Sequence, residues 1–315
     1  MTKALLLLVT TGVSWVIVGA FVGLIGRKGL NLLYYQIAGC ILRIAVSLVI
    51  GLTTSANLLP PNGIGVHIWT GVIASCVAFG LFNYVMIQFM GLAMQKGPNA
   101  IVWAIIQSGF IYPFFMGWII FGEPMSAGRA VGIIMILASI VLYAARGGKD
   151  TKNSCAAETV PIRVWLVPAL LGMLFCGLNQ CGGSIPSHLP RGDEFPSIFR
   201  DLFSQVGGLI GCASGLVRLE RRGELARPTR RELAKLIGYA ACVLSVNYTA
   251  SVVLLYPGLD ILKEYGRISM GFPIMVASCI AAFFPYGLIV LREKINPIQA
   301  LGAAIGVAGI IIGCL

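Results

Sequence analysis

Apolar positions along this chain run together in long blocks instead of alternating. Windows without a charged side chain cover 4–26, 44–95, 97–122, 164–190, 236–259, 268–291 and 295–315. Most exceed the roughly 20 residues a helix needs to cross the hydrocarbon core of a bilayer. The longest window holds two spans, because Pro60-Pro61-Asn62-Gly63 breaks it. With shorter apolar runs near 127–145 and 197–217, the pattern predicts ten helices: about 4–25, 31–54, 67–90, 98–121, 127–145, 163–183, 197–217, 234–255, 266–291 and 297–314. A membrane β-barrel would show alternating segments of about ten residues. The blocks do not alternate, so the expectation is an all-α, polytopic membrane protein with ten transmembrane helices.

Composition agrees. Hydrophobic residues make up 57% of the 315, charged residues 11%, and mean hydropathy is +0.88, which leaves too little polar surface for a soluble domain. The longest polar stretches, 146–162 and 218–233, read as loops. The N-terminal run resembles a signal peptide, but it stays apolar to Ile25 and is read as the first helix. Eight of the nine cysteines fall in predicted spans, where Cys behaves as a small hydrophobe, and Cys155 in a polar loop is read as a free thiol.

The net charge of +11 invites a nucleic-acid reading, but in a polytopic protein basic residues mainly report orientation. Loops after odd-numbered spans carry 16 of the 23 Lys and Arg, the opposite side carries six, and Arg43 lies inside the second span. The bias places the odd loops in the cytoplasm and both termini outside, in a cell inner or plasma membrane. No nucleic-acid partner is expected.

The chain also repeats. A shift of 170 residues pairs Phe114, Glu123 and Gly132 with Phe284, Glu293 and Gly302. "LRIAVSLVIG" (42–51) matches "FRDLFSQVGG" (199–208), so that Arg43, Ser47 and Gly51 fall on Arg200, Ser204 and Gly208. Five spans, duplicated, make an odd-numbered unit, and two such copies insert with opposite polarity: an inverted repeat of 1–145 and 163–315 joined by the basic loop 146–162.

A ten-helix duplicated pattern, Gly122-Glu123 between the fourth and fifth spans, a glycine-rich fifth span and an Arg in the second together resemble the drug/metabolite transporter superfamily, EamA-like branch. Pro113 lies only ten residues before Glu123, later in the fourth span than is usual there. Family habit also puts both termini in the cytoplasm, against the charge count. The short basic "GLIGRKGLNLLYYQ" (23–36) is more similar to the rhamnose and glucose/ribose porters. The resemblance implies a secondary transporter moving a small polar metabolite or drug-like solute by alternating access. A proton-coupled, rhamnose-type sugar importer is the alternative.

Polar residues inside apolar blocks are the candidate site. Asn83-Tyr84 in the third span and Asn247-Tyr248 in the eighth occupy corresponding places in the two repeats. They serve either as hydrogen-bonding glue between helices or as the lining of a central solute cavity. Trp15, Gln107, Asn179 and Gln180 join them as substrate-binding candidates. Arg43, Arg200, Asp201 and Glu264 are the charged candidates for an anionic group or a coupling proton, Arg200 beside Asp201 being equally readable as a structural ion pair. Glu123 and Glu293 read as helix-start residues. His67 and His188 lie at span edges away from any ligand cluster, and no phosphate-cradling loop occurs, so neither enzyme chemistry, a metal nor a cofactor is expected. Glycines spaced by four, Gly19/Gly23, Gly207/Gly211/Gly215 and Gly302/Gly306, point to close helix packing within the chain, with a homodimer interface as the alternative.

Overall fold

The computed structural model describes residues 1–53, 59, 62–97, 99–144, 163–289 and 297–314, and among these all regular structure is helical. The helices are α1 (Thr2–Arg27), α2 (Leu32–Thr53), α3 (Val66–Lys96), α4 (Asn99–Gln107), α5 (Ile111–Ile119), α6 (Ala127–Ala144), α7 (Arg163–His188), α8 (Ser197–Arg221), α9 (Arg230–Tyr248), α10 (Tyr256–Glu264), α11 (Gly271–Ile289) and α12 (Pro297–Cys314). Two pairs continue one another. A 3-10 turn at Ser108–Phe110 links α4 to α5, and a π-helical segment at Thr249–Leu255 links α9 to α10. Pro257 supplies no N–H and crowds the preceding turn, a local reason for the ladder to widen just before it.

Seven stretches are long and apolar enough to cross a membrane: Thr2–Gly26, Leu32–Thr53, Val66–Lys96, Val102–Ile119, Arg163–His188, Ser197–Arg221 and Arg230–Glu264. Shorter apolar helices occupy Ala127–Ser139, Ile268–Ala282 and Ala304–Gly313. The surface is that of a membrane protein, with Leu52, Ile119, Ile120, Ile134 and Val141 exposed while Gln36, Gln107, Asn179, Gln180, Arg200 and Asp201 are buried. Lipid solvates the first group at no cost, and the second must find partners inside.

The helices pack in definite pairs: α3 on α7 and α8, α1 on α11 and on the α9–α10 rod, α2 on α8 and α9, the α4–α5 rod on α7, and α6 on α12. Close crossings are made where a side chain is missing. A Cβ on Gly80 of α3 would lie 1.6 Å from the Ser204 carbonyl oxygen of α8, and one on Gly132 of α6 would lie 2.6 Å from the Gly309 oxygen of α12. Gly19, Gly207, Gly211, Gly215 and Gly306 also face neighbouring helices of the same chain, as expected of intramolecular packing.

Contacts between residues remote in sequence define two ends. At one, Lys28 donates to the Tyr239 hydroxyl, and Gly97 lies against Trp165. This end carries the described basic loops. At the other, Arg191 donates to the Gly63 carbonyl, Lys263 to Asp193, the Met1 ammonium to the Tyr265 hydroxyl and Arg129 to the Gly266 carbonyl.

Candidate functional site: a central cavity and a sealed end

Between the helices lies a cavity of about 140 Å³. A void of about 150 Å³ holds benzene, so this one suits a solute with a single ring. Its walls come from α1, α2, α3, α4, α7, α8 and α9 and from the π-helical segment. The contributing residues of α2 run from Tyr35 to Arg43, nearly all in its first half, and those of α3 from Phe79 to Met90, mostly in its second. Both halves lie toward the basic end, so the cavity leans that way.

Of the residues singled out in the sequence, Trp15, Asn83, Tyr84, Gln107, Asn179, Gln180 and Asn247 border the cavity, as does Arg43. Tyr248, Arg200, Asp201 and Glu264 do not. Tyr248 is buried elsewhere, one residue along the helix from Asn247 and so turned by about 100°. Glu264 is exposed at the C-terminus of α10. Tyr35, Gln36 and Gln205 also border the cavity and were missed. Gln36 and Gln205 sit in the neighbouring apolar runs 31–54 and 197–217 and carried the same signal as the Asn-Tyr pairs, an amide where lipid tolerates none.

The amides are held in place by backbone and by one another. Asn179 Nδ2 donates to the Phe79 carbonyl at 2.7 Å, Gln36 Nε2 donates to the Tyr84 carbonyl at 3.4 Å, and Gln88 Nε2 donates to Gln36 Oε1 at 2.5 Å. Tyr84 lies over Gly211 and Gly215 of α8, where any side chain would collide with its ring. Gln180 gives its Nε2 to the Cys176 sulfur at 3.3 Å, while its buried Oε1 has no partner. A buried acceptor left bare costs about 1–3 kcal/mol, which a hydroxyl or N–H of a bound solute would recover.

The charged candidates pair differently from their order in the sequence. Asp201 does not bind its neighbour Arg200. It accepts from Arg43 of α2 and, at 3.3 Å, from Gln205, while Arg43 also donates to Ser251 Oγ at 3.0 Å. One charge of each sign beside the cavity leaves it neutral overall. Arg200, fully buried, donates at 3.0 Å to Asp260, which also accepts from Ser187 at 2.7 Å, and it donates to the Phe195 and Gly192 carbonyls. Successive residues of a helix point about 100° apart, which is why Arg200 and Asp201 serve different neighbours.

Glu123 and His188 also depart from expectation. Gly122 takes a left-handed conformation (φ 65°) that ends α5, and the Glu123 N–H returns to the Gly117 carbonyl. The Glu123 carboxylate is thereby carried inward, four residues before α6 begins, and does not act as a helix-start residue. His188 Nε2 lies 3.0 Å from its Oε1, the Ser269 N–H donates to that same oxygen at 3.0 Å, and the Ser269 hydroxyl donates to Oε2 at 2.5 Å. Arg129 approaches Oε2 to 3.7 Å, and the Phe121 ring stacks on the imidazole with centroids 4.1 Å apart. Burial pushes the carboxyl up, but the hydrogen bonds from His188 and Ser269 outweigh it and hold Glu123 below the usual carboxylate range. Asp193 behaves likewise: burial pushes its carboxyl up, while the Lys263 hydrogen bond, a backbone hydrogen bond and the charges of Lys263 and Arg200 together hold it below the usual range. These contacts tie together the end of the molecule away from the cavity. Glu293 and Cys155 lie outside the described residues. Among the described residues no group of His, Cys, Asp and Glu could hold a metal ion, and seven cysteines are free thiols.

No family model matches the chain, and no curated protein does. A solved crystal structure is similar over 99% of this chain and 96% of its own, with a TM-score of 0.66 and 15% identity. At that identity the likeness concerns the fold alone.

Proposed function

We propose that this chain is a secondary transporter that moves a small, uncharged polar solute across the membrane by alternating access. The observation that carries the reading is the convergence of amide side chains from α2, α3, α4, α7 and α9 on one ring-sized cavity among apolar helices. Amides offer both donors and acceptors, and buried amides in a membrane are retained chiefly where they meet one another or a solute. Trp15, Tyr35, Phe79, Tyr84 and Trp103 add flat apolar walls.

The reading extends to ten spans in two inverted five-helix repeats. Joining α4 to α5 and α9 to α10 yields ten rods among the described residues, and the packing pairs are unchanged when each rod is exchanged for the one five along. The third rod on the sixth becomes the eighth on the first, and the third on the seventh becomes the eighth on the second. The first on the ninth becomes the sixth on the fourth, while the second on the seventh and the fifth on the tenth map onto themselves. Asn83 and Asn247 are related by the same exchange, and both border the cavity. This arrangement supports membership of the drug/metabolite transporter superfamily. The basic loops then face the cytoplasm, and the cavity leans toward that side in a plasma or inner membrane. A proton-coupled sugar importer is the second reading, favoured by the match between a single-ring cavity and a monosaccharide.

The test is flux into proteoliposomes of labelled monosaccharides, nucleobases and amino acids. One class is expected to be carried by the native chain, and Asn83→Leu and Asn247→Leu are expected to lose at least about tenfold in rate while remaining folded. Native rates in both variants would remove the amides from the transport path. No carried solute in any class would refute the reading.

A further inference from the structure

The end of the molecule opposite the cavity is joined by a carboxylate and an imidazole whose contacts require a proton between them. His188 Nδ1 lies 3.0 Å from the Ser184 carbonyl oxygen, which can only accept, so Nδ1 carries a hydrogen. Nε2 lies 3.0 Å from Glu123 Oε1. Oε1 already accepts from the Ser269 N–H, and Oε2 accepts from the Ser269 hydroxyl. Without a proton, the contact sets a nitrogen lone pair against a carboxylate oxygen, and it repels. With one proton it is an imidazolium–carboxylate pair, fully hydrogen-bonded.

The pair sits where three rods meet. Glu123 belongs to the turn between α5 and α6, His188 ends α7, and Ser269 opens the rod that continues as α11. The other charged groups around it are engaged. Arg129 of α6 donates to the Pro124 and Gly266 carbonyls while facing Oε2. Next to His188, Ser187 donates to Asp260, which holds Arg200, and Lys263 of α10 holds Asp193. Arg200 and Arg129 keep their charge across the accessible range. The Glu123–His188 proton is the one shared between the α5–α6 turn and the end of α7.

We propose that Glu123 and His188 form a proton-operated latch on this end of the transporter. One bound proton closes the end by joining the α5–α6 turn to α7 and α11, and its loss releases them. The inference rests on the transport reading for its purpose. In a carrier whose cavity leans toward the basic end, a proton taken up here favours that same state, so proton supply at the latched end biases the direction in which the cavity faces.

Hydrogen–deuterium exchange of the segments 120–126 and 265–270 tests the latch. Rates are measured from about pH 6 to about pH 9 and divided at each pH by those of an unstructured peptide. In the native chain, protection should fall at least about tenfold across this range, since one linked proton permits up to tenfold per pH unit. Glu123→Gln places an amide N–H against Nε2, and His188→Gln places one against Glu123. Each restores the contact without a titrating proton, so protection should change less than about twofold over the same range. A flat native profile overturns the latch, and so does a native-like pH dependence in both variants. Flux measured in parallel separates the two readings: pH-dependent protection without transport of any solute keeps the latch and refutes the carrier.

Discussion

Breaking the Arg43–Asp201 pair one side at a time should have unequal costs. Asp201 is completely buried, and its remaining partners are Gln205 at 3.3 Å and Ser47 at 3.5 Å, whereas the Arg43 side chain keeps 14% of its surface exposed and borders the cavity. Arg43→Met therefore strands a carboxylate with two weak neutral donors, and the cost of an unpaired buried charge is about 3–5 kcal/mol. Asp201→Leu strands a guanidinium that can still reach Ser251 and water in the cavity, so its cost should fall at or below the bottom of that range. The double variant Arg43→Met/Asp201→Leu removes both charges from a low-dielectric interior and should lie within about 1 kcal/mol of the native chain. For chains of a few hundred residues each kcal/mol moves Tm by about 2–4 °C, so Arg43→Met should melt on the order of 10 °C early. Asp201→Leu should melt a smaller interval early, and the double variant should recover most of the loss. Thermal unfolding of the four proteins in one detergent forms a double-mutant cycle. Additive losses, or an Asp201→Leu cost exceeding that of Arg43→Met, would refute the account of the pair.

Two further expectations concern packing and pH. Gly132→Ala drives a methyl group into the Gly309 and Gly313 backbone of α12 and should cost about 1–3 kcal/mol. Gly238→Ala in α9 meets nothing within 4 Å and should be neutral or stabilise by up to about 1 kcal/mol; comparable melting temperatures for the two would refute the assigned α6–α12 contact. Glu123 and Asp193 both titrate below their ordinary values, so the stability they contribute is present above the ordinary carboxylate range and is lost as pH falls through their depressed folded values. Tm should therefore decline on acidification, and Asp193→Asn should flatten part of that decline. A decline unchanged by the substitution would show that the Lys263 contact does not contribute to it.

Lipid solvent made much of this protein legible before any coordinates. A charge-free block longer than about 20 residues has few alternatives to a helix, because a bare backbone in hydrocarbon is too costly. The positions of the helices, the break near 60–63 and the all-helical class follow from that constraint. The same constraint exposed the cavity: Asn83, Gln107, Asn179, Gln180 and Asn247 stood out because an amide in such a block needs a reason, and all five border one void. What the pattern could not supply was direction around a helix axis and the identity of partners remote in sequence. Tyr248 differs from Asn247 by one helical step and is buried away from the cavity. Asp201, adjacent to Arg200, bonds to Arg43, 158 positions away. His188 meets Glu123 across 65 positions, and Ser269 meets it across 146. Hydropathy acts on each residue separately, so it is written along the chain. An ion pair or a shared proton depends on two side chains arriving within about 3 Å, and that is settled only when glycines such as Gly80 and Gly132 let the helices close on one another.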